Sequence, residues 1–322
     1  MMASGIFKTH GRTLFAWGVF AILMGIFLSV HPRGATLGVF TTWSNQCAAL
    51  ALLAVGQTIV VLSKGIDLSI GPIMALTNCI ASHLVNGSPT EVALGVVIVI
   101  ATGAACGLIN GLVVVVGKLQ AIIATLATGA IFTGLALLVR PIPGGDISIG
   151  LSDAMTMDVF GVVPSAVLVM LGAVALWYPI RRHPIGRSII AVGSSEAAAE
   201  ASGLNVARAK IAAYTLGGVF AALGGLFIGF QTLSGDPSIG LTYTLNSIAA
   251  VVIGGTMLTG GAGSVVGSIA GALVLRTIGS LIFFIGLQPL AQPLFEGTVL
   301  LIAVSFGATR LLKIKNRMEV FQ

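Results

Sequence analysis

Charge is what this sequence lacks most. Only 8% of its 322 residues are Asp, Glu, Lys or Arg, roughly a third of what a soluble domain carries. At the same time 56% are hydrophobic, for a mean hydropathy of +1.06. No stretch is charged enough to face water around a second globular domain, so residues 1–322 read as a single transmembrane domain. Cysteine is scarce as well. Cys47, Cys79 and Cys106 stand singly in apolar surroundings, which excludes a disulfide framework and a C-x-x-C metal knuckle and makes them small core residues. His10, His31, His83 and His183 lie far apart with no H-E-x-x-H pair, so no metal site is expected.

Catalytic machinery is missing too. There is no nucleophile elbow and no phosphate-binding loop, since Gly117-Lys118 runs on to Leu119 and not to a magnesium-holding hydroxyl. The chain is not expected to hydrolyse ATP or to hold a cofactor. Deep carboxylates are the last absence: Asp67 sits at a span end, and Asp236 and Glu296 lie near the outer face. A proton- or sodium-driven carrier exposes a titrating acid to each side in turn. Any transport energy is therefore expected from a partner.

What is present is long apolar runs. A membrane helix needs about 20 apolar residues to cross roughly 30 Å of hydrocarbon. Charge-free runs occupy 13–32, 34–63, 68–90, 92–117, 119–139, 159–180 and 211–235. The remainder divides at the glycine-rich stretch from Gly254 to Gly263 into helices near 237–254, 264–286 and 290–309. The expected fold is all-α and polytopic, with about ten transmembrane helices. The first run has a basic start like a signal peptide but lacks a small-x-small cleavage site, and reads as the first span. The 43 glycines form no G-x-y repeat, so they point to close helix packing and turns. Gly103 and Gly107 are one G-x-x-x-G pair, and Gly263, Gly267 and Gly271 repeat the spacing, which lets backbones approach closely.

Basic residues in short loops mark the cytoplasm. With ten spans, Lys8, Arg12, Lys64, Lys118, Arg181, Arg182, Arg187, Arg208, Lys210, Arg310, Lys313, Lys315 and Arg317 share one side with both termini, and Arg33 and Arg140 take the other. Both termini are expected in the cytoplasm. The net charge of +6 is then a topology signal and not a sign of nucleic-acid binding.

One inner loop is long, 181–210. Ser194 can cap a helix starting at Ser195, Ala197, Ala198, Glu196 and Glu200 favour that helix, and Gly203 can end it before Leu204 and Asn205. Glu196 and Glu200 share a face, a like-charge pair that a basic partner surface would make favourable. The alternative is a helical turn lying against the inner membrane face.

Three strings resemble the permeases of ribose/xylose-type sugar ABC importers. They are Ala54-Val55-Gly56-Gln57-Thr58 with Gly65-Ile66-Asp67-Leu68-Ser69-Ile70-Gly71; Gly203-Leu204-Asn205-Val206 with Lys210 and Tyr214; and Ile248 to Thr256 followed by Gly260 to Gly267. The resemblance implies a bacterial inner-membrane permease that pairs with a second permease subunit, identical or different. A cytoplasmic ABC ATPase would carry the ATP and Mg, and a periplasmic binding protein would deliver a monosaccharide or related polyol. It also implies that 194–203 is a coupling helix docking on the ATPase. Branched-chain amino-acid permeases are the near alternative, and a stand-alone carrier or channel the distant one. This chain departs from the pattern at Asn246, where an acid is usual, at Pro72 and at Arg276.

A pathway for sugars wants amides and hydroxyls. Gln46, Gln57, Asn78, Asn110, Gln120, Thr125, Thr128 and Asn246 are the polar groups in or near spans, to be divided between pathway lining and bonds between helices. Phe132, Phe283 and Phe284 either gate the pathway or pack. Arg276, costly at mid-span, must face protein or water, as a pathway group, a partner of helix-end carbonyls or a subunit contact. Asp67 is expected to cap the third span, and Gly65, Gly71, Gly261, Gly263 and Gly267 to form structural turns. The outer segment 140–158, with Arg140, Asp146, Asp153 and Asp158, offers a docking surface or a plain loop.

Overall fold

The structure, a computed structural model, describes residues 2–298 and 301, with side chains from Gly11 onward except Pro289. Its elements are α1 (Met2–Val30), α2 (Leu37–Leu62), α3 (Ile70–Leu84), α4 (Pro89–Val115), α5 (Ala121–Val139), α6 (Ile149–Thr156), β1 (Asp158–Val159), β2 (Val163–Pro164), α7 (Ser165–Arg182), α8 (Pro184–Ser194), α9 (Glu196–Ala201), α10 (Val206–Thr232), α11 (Gly240–Ile253) and α12 (Val265–Phe284). Among the described residues seven helices are long and apolar enough to cross a membrane, and α3 and α11 are shorter apolar helices. They occupy the first nine expected spans. Half of the tenth, 290–309, lies outside the described residues, as do Arg310, Lys313, Lys315, Arg317 and the side chain of Lys8.

Helix α2 is the axis. Its apolar window is 89% buried, because α10, α11, α12 and α7 all pack on it. In contrast α1 keeps only 11% of its window buried, leaning on α12 with the rest of its apolar surface turned outward, as a lipid-facing helix does. The G-x-x-x-G pairs work within the chain: Gly103 meets Gly218 and Ala222, and Gly107 meets the backbone of Tyr214 and Thr215, so α4 and α10 cross in close backbone contact. Gly267 and Gly271 set α12 against Gly254 and Ala250 of α11 in the same way. The three cysteines are free and buried.

The ends of the bundle sort the charges. At one end Arg12 packs on Gly255, Lys64 on Gly260, and Gly193 and Ser194 on Leu62 and Gly261. At the other, Arg140 donates from Nε to Ser82 Oγ (2.8 Å) and Gly144 and Gly235 exchange two backbone hydrogen bonds. The outer segment carries α6 and the β1–β2 hairpin, whose tip residue Phe160 is 97% exposed at a positive φ of 54°.

Two spans differ from expectation. In place of 68–90 and 237–254 stand α3, with 15 residues, and α11, with 14, rising about 21 to 22 Å against roughly 30 Å of hydrocarbon. Each is preceded by irregular backbone, 63–69 and 233–239. Apolar composition predicts a span, but it does not distinguish helix from irregular chain once protein surrounds the chain.

Candidate functional site

The segment 181–210 folds as two helices. His183 caps α8, with Pro184 in its first turn, where a missing N–H costs nothing. Gly186, Ile189, Val192 and Gly193 are its buried face, packed on α10 and α2. Because α8 runs through Ser194, whose hydroxyl bonds back to Ile190 O, the cap of α9 falls one residue later than expected. Ser195 has the extended backbone and accepts the N–H of Ala198. The helix is correspondingly shorter than 194–203.

Its far end matches the expectation. Gly203 takes φ +78°, its N–H bonds to Glu200 O (2.9 Å) and the Leu204 N–H to Ala199 O (3.0 Å), the paired bonds of a Schellman cap. Asn205 then caps α10 through the Arg208 N–H. Glu196 does not wait for an outside cation, since Lys210 Nζ is 2.9 Å from its carboxylate. Ala199 is the buried anchor, while Ser194, Ser195, Ala197, Ala198, Glu200, Ser202 and Gly203 are exposed. Alpha9 is a knob of small residues, held from beneath by α8 and α10. Beneath the knob, Gly193 lies on the last turn of α2, where the Gly261 N–H donates to Leu62 O (3.1 Å).

The irregular segment 63–69 is held by side chains from four helices. Thr125 of α5 receives the Leu68 N–H (3.0 Å) and reaches Ile66 O. Asn110 of α4 donates to Ser69 Oγ (2.6 Å), Thr244 of α11 reaches Leu68 O, and Tyr214 of α10 closes on Gly65. Backbone outside a helix is tolerated at membrane depth only with such partners. Asp67 is a correction: it is fully buried, not at an open span end, and one oxygen accepts both the N–H and the hydroxyl of Ser69. It braces the turn before α3 and does not cap the helix, since Ser69 stands at the N-cap and none of the first N–H groups of α3 bonds a side chain.

Segment 233–239 descends along α3. Gly235 packs on Cys79 and Ser82, the Asp236 N–H donates to Asn78 Oδ1 (2.8 Å), and Gly240 packs on Gly71. Asn78 Nδ2 also bonds Gly225 O and Ser234 O. Two short helices therefore meet at their N-termini, Gly71 against Gly240, one running toward each end of the bundle.

A cavity of about 570 Å³ lies between α1, α2 and α12. Its wall includes Phe27, Trp43, Gln46, Arg276, Ser280 and Phe283. Arg276 Cζ sits 4.7 Å from the Tyr243 ring centroid, a cation–π contact, while its Nε and one Nη are buried with no acceptor among the described residues.

Residues 39–304 match the family described as branched-chain amino acid transport system / permease component. The chain belongs to this permease family. The ribose import permease of Escherichia coli K12 is 35% identical over 88% of this chain and 89% of its own. That of Bacillus subtilis is 38% identical over 81% of both, and the fructose import permease of Rhizobium meliloti 35% over 91% and 81%. No solved structure matches. The permease is thus a multi-pass membrane protein whose relatives import sugars.

The candidate pathway residues of the permease divide by bonding state. Asn78 and Thr125 hold backbone, Asn110 holds the Ser69 hydroxyl while its Oδ1 has no partner among the described residues, and Thr128 bonds within its own helix. Gln57 is fully buried with neither amide atom paired, and Asn246 Nδ2 is also buried and unpartnered. The aromatic group does not assemble into one gate. Phe132 is buried on α5, which packs on α3 and α4, whereas Phe284 packs on Phe27 of α1 and on His31 just after it, and Phe283 is 63% exposed. Gly65, Gly71, Gly261, Gly263 and Gly267 all sit where a Cβ would strike a neighbour. Sequence reasoning missed α8, Tyr243 beneath Arg276, and the Lys210 pair. The first had a signal in Pro184 and the apolar spacing of Ile185, Ile189 and Val192.

Proposed function

We propose that the permease is the membrane half of a binding-protein-dependent ABC importer for a monosaccharide or related polyol, resident in the bacterial inner membrane. In this reading the chain is one domain of ten spans with both termini cytoplasmic. It pairs with a second permease subunit, and a separate ATPase carries ATP, Mg and the hydrolysis. The observation that carries the reading is the exposed α9 knob, whose supporting glycine lies directly on the inner end of α2 and on the α11–α12 turn. A push on α9 is delivered to the elements that surround the Gly71–Gly240 junction. The sugar relatives favour this substrate class over branched-chain amino acids.

Closure of the ATPase pair displaces α9, α2 and the α11–α12 turn follow, and access alternates between the two faces. Gln57, Asn246 and Arg276, three of the residues with unmet hydrogen bonds among those described, line the path, and Asn78, Asn110 and Thr125 keep its frame.

The test is ATP-dependent uptake in proteoliposomes holding the copurified permease, ATPase and binding protein. Glu200 is exposed and has no partner among the described residues, so Glu200→Lys probes docking without breaking an internal contact. Uptake should fall at least tenfold while the permease remains monodisperse. Solute movement by the purified permease alone, without ATP, would refute the importer reading. Leucine competing where ribose does not would favour the amino-acid alternative.

A further inference from the structure

Arg276 stands midway along α12 with a charge that nothing among the described residues neutralises. We infer that the transported sugar is anionic, a monosaccharide bearing a carboxylate or phosphate group that Arg276 receives in the cavity between α1, α2 and α12. The inference rests on the importer reading and specifies its substrate class.

A guanidinium does not lose its proton in a protein, so Nε and the free Nη are permanent, buried donors without an acceptor. The Tyr243 ring lies under Cζ, and Arg276 lines the cavity. A planar guanidinium suits two parallel N–H···O bonds to a carboxylate or phosphate. The cavity walls add neutral groups suited to hydroxyls: Gln46 and Ser280, which bond each other at 3.3 Å, and Gln292.

Among the described residues no carboxylate lines the cavity, and Arg33 also borders it. The acid one turn beyond Gln292, Glu296, accepts from the Gln292 amide (2.7 Å) and makes no ion pair with Arg276; the ion pair among the described residues is Lys210–Glu196. Outside the described residues the sequence contains one acid, Glu319. Asn246 lies three residues beyond Tyr243 and so shares its face of α11, and its Nδ2 is a further buried donor without a partner. The unmet need on this face is for acceptors and negative charge. A neutral sugar supplies acceptors but leaves the charge uncompensated in a site walled by Phe27, Trp43 and Phe283, where a missing counter-charge matters more than in water.

The experiment measures equilibrium binding of radiolabelled D-glucuronate, D-ribose 5-phosphate and D-ribose to the copurified complex in phosphatidylcholine nanodiscs, for the native chain, Arg276→Gln and Arg276→Lys. The expected result is saturable binding of at least one anionic sugar, tenfold or more tighter than ribose. Arg276→Gln should lose it by tenfold or more, and Arg276→Lys should retain part. The glucuronate and phosphate arms distinguish the two anionic groups. Equal binding of ribose to native and Arg276→Gln complexes, with no competition by either anion and unchanged elution of the variant, would overturn the inference, as would absence of saturable anionic-sugar binding to the native complex. ATP-driven uptake of whichever sugar binds is scored separately: uptake of ribose with no anion binding defeats this inference alone, and uptake without ATP defeats the importer reading alone.

Discussion

Replacing Gly193 by Ala tests the link between the α9 knob and the bundle. A Cβ at Gly193 would lie 2.8 Å from the carbonyl carbon of Leu62 and 2.7 Å from the Gly261 nitrogen, and closer still to Leu62 O. Ordinary carbon contacts begin near ~3.5 Å, so the α8, α2 and α11–α12 backbones must part by roughly 1 Å. All the struck atoms are backbone, so no side chain can swing aside. Overpacking of this kind costs about 1 to 3 kcal/mol or more. At about 2 to 4 °C per kcal/mol for chains of 150 to 250 residues, and somewhat less for a longer one, the midpoint should fall by several degrees. The assay is thermal denaturation in detergent followed by fluorescence size-exclusion, together with sugar moved per ATP hydrolysed in proteoliposomes. Gly172→Ala on α7 is the control: nothing lies within 4 Å of its Cβ, and Ala is favoured over Gly in a helix by about 1 kcal/mol. If Gly193→Ala melts with the native chain and keeps its transport stoichiometry, the junction is not the tight contact described and the transmission argument fails.

Gly71→Ala places a Cβ 2.8 Å from the Gly240 carbonyl carbon and should abolish monodisperse assembly on size-exclusion; normal yield would contradict the half-helix junction. Asn78→Ala removes the bonds to Gly225, Ser234 and Asp236 and should cost about 1 to 3 kcal/mol, visible as faster hydrogen exchange across 233–239. Ser195→Ala deletes the α9 cap, worth about 1 kcal/mol. Amides of 196–201 should then exchange roughly fivefold faster while the global melting point stays put; unchanged exchange there would mean that α8 and α10 alone hold the knob.

The spans were legible because absence of charge is a property of composition, and the chain has little freedom to hide a charge in lipid. Their internal breaks were not legible. Residues 63–69 and 233–239 are as apolar as the helices they interrupt, and what permits irregular backbone there is Thr125, Asn110, Thr244 and Asn78 reaching across from other elements. Asp67 was misread as an edge residue for the same reason, since its burial comes from the helices around the turn. The α9 cap was missed by one residue between two adjacent serines, a choice made by where α8 ends. Arg276 was recognisable as costly, but its Tyr243 partner depends on how α11 packs on α12. Helix α9 itself was legible from a serine cap within one residue and from the Gly203 stop, both local signals, whereas its floor at Gly193 is tertiary.

The two short helices also set an order of events during synthesis. Helix α3 leaves the ribosome well before α10, yet the side chain that fixes it, Asn78, bonds to Gly225 and Ser234, roughly 150 residues further on, and the turn before it needs Tyr214 and Thr244. Alone in lipid, that turn would hold unsatisfied N–H and C=O groups, each costing several kcal/mol. The nascent segment 63–84 therefore has no stable resting place in the bilayer until α10 and α11 emerge. Its insertion is a late, cooperative act of the carboxy-terminal half, and truncated chains ending before residue 240 should leave α3 stranded for membrane quality control to remove.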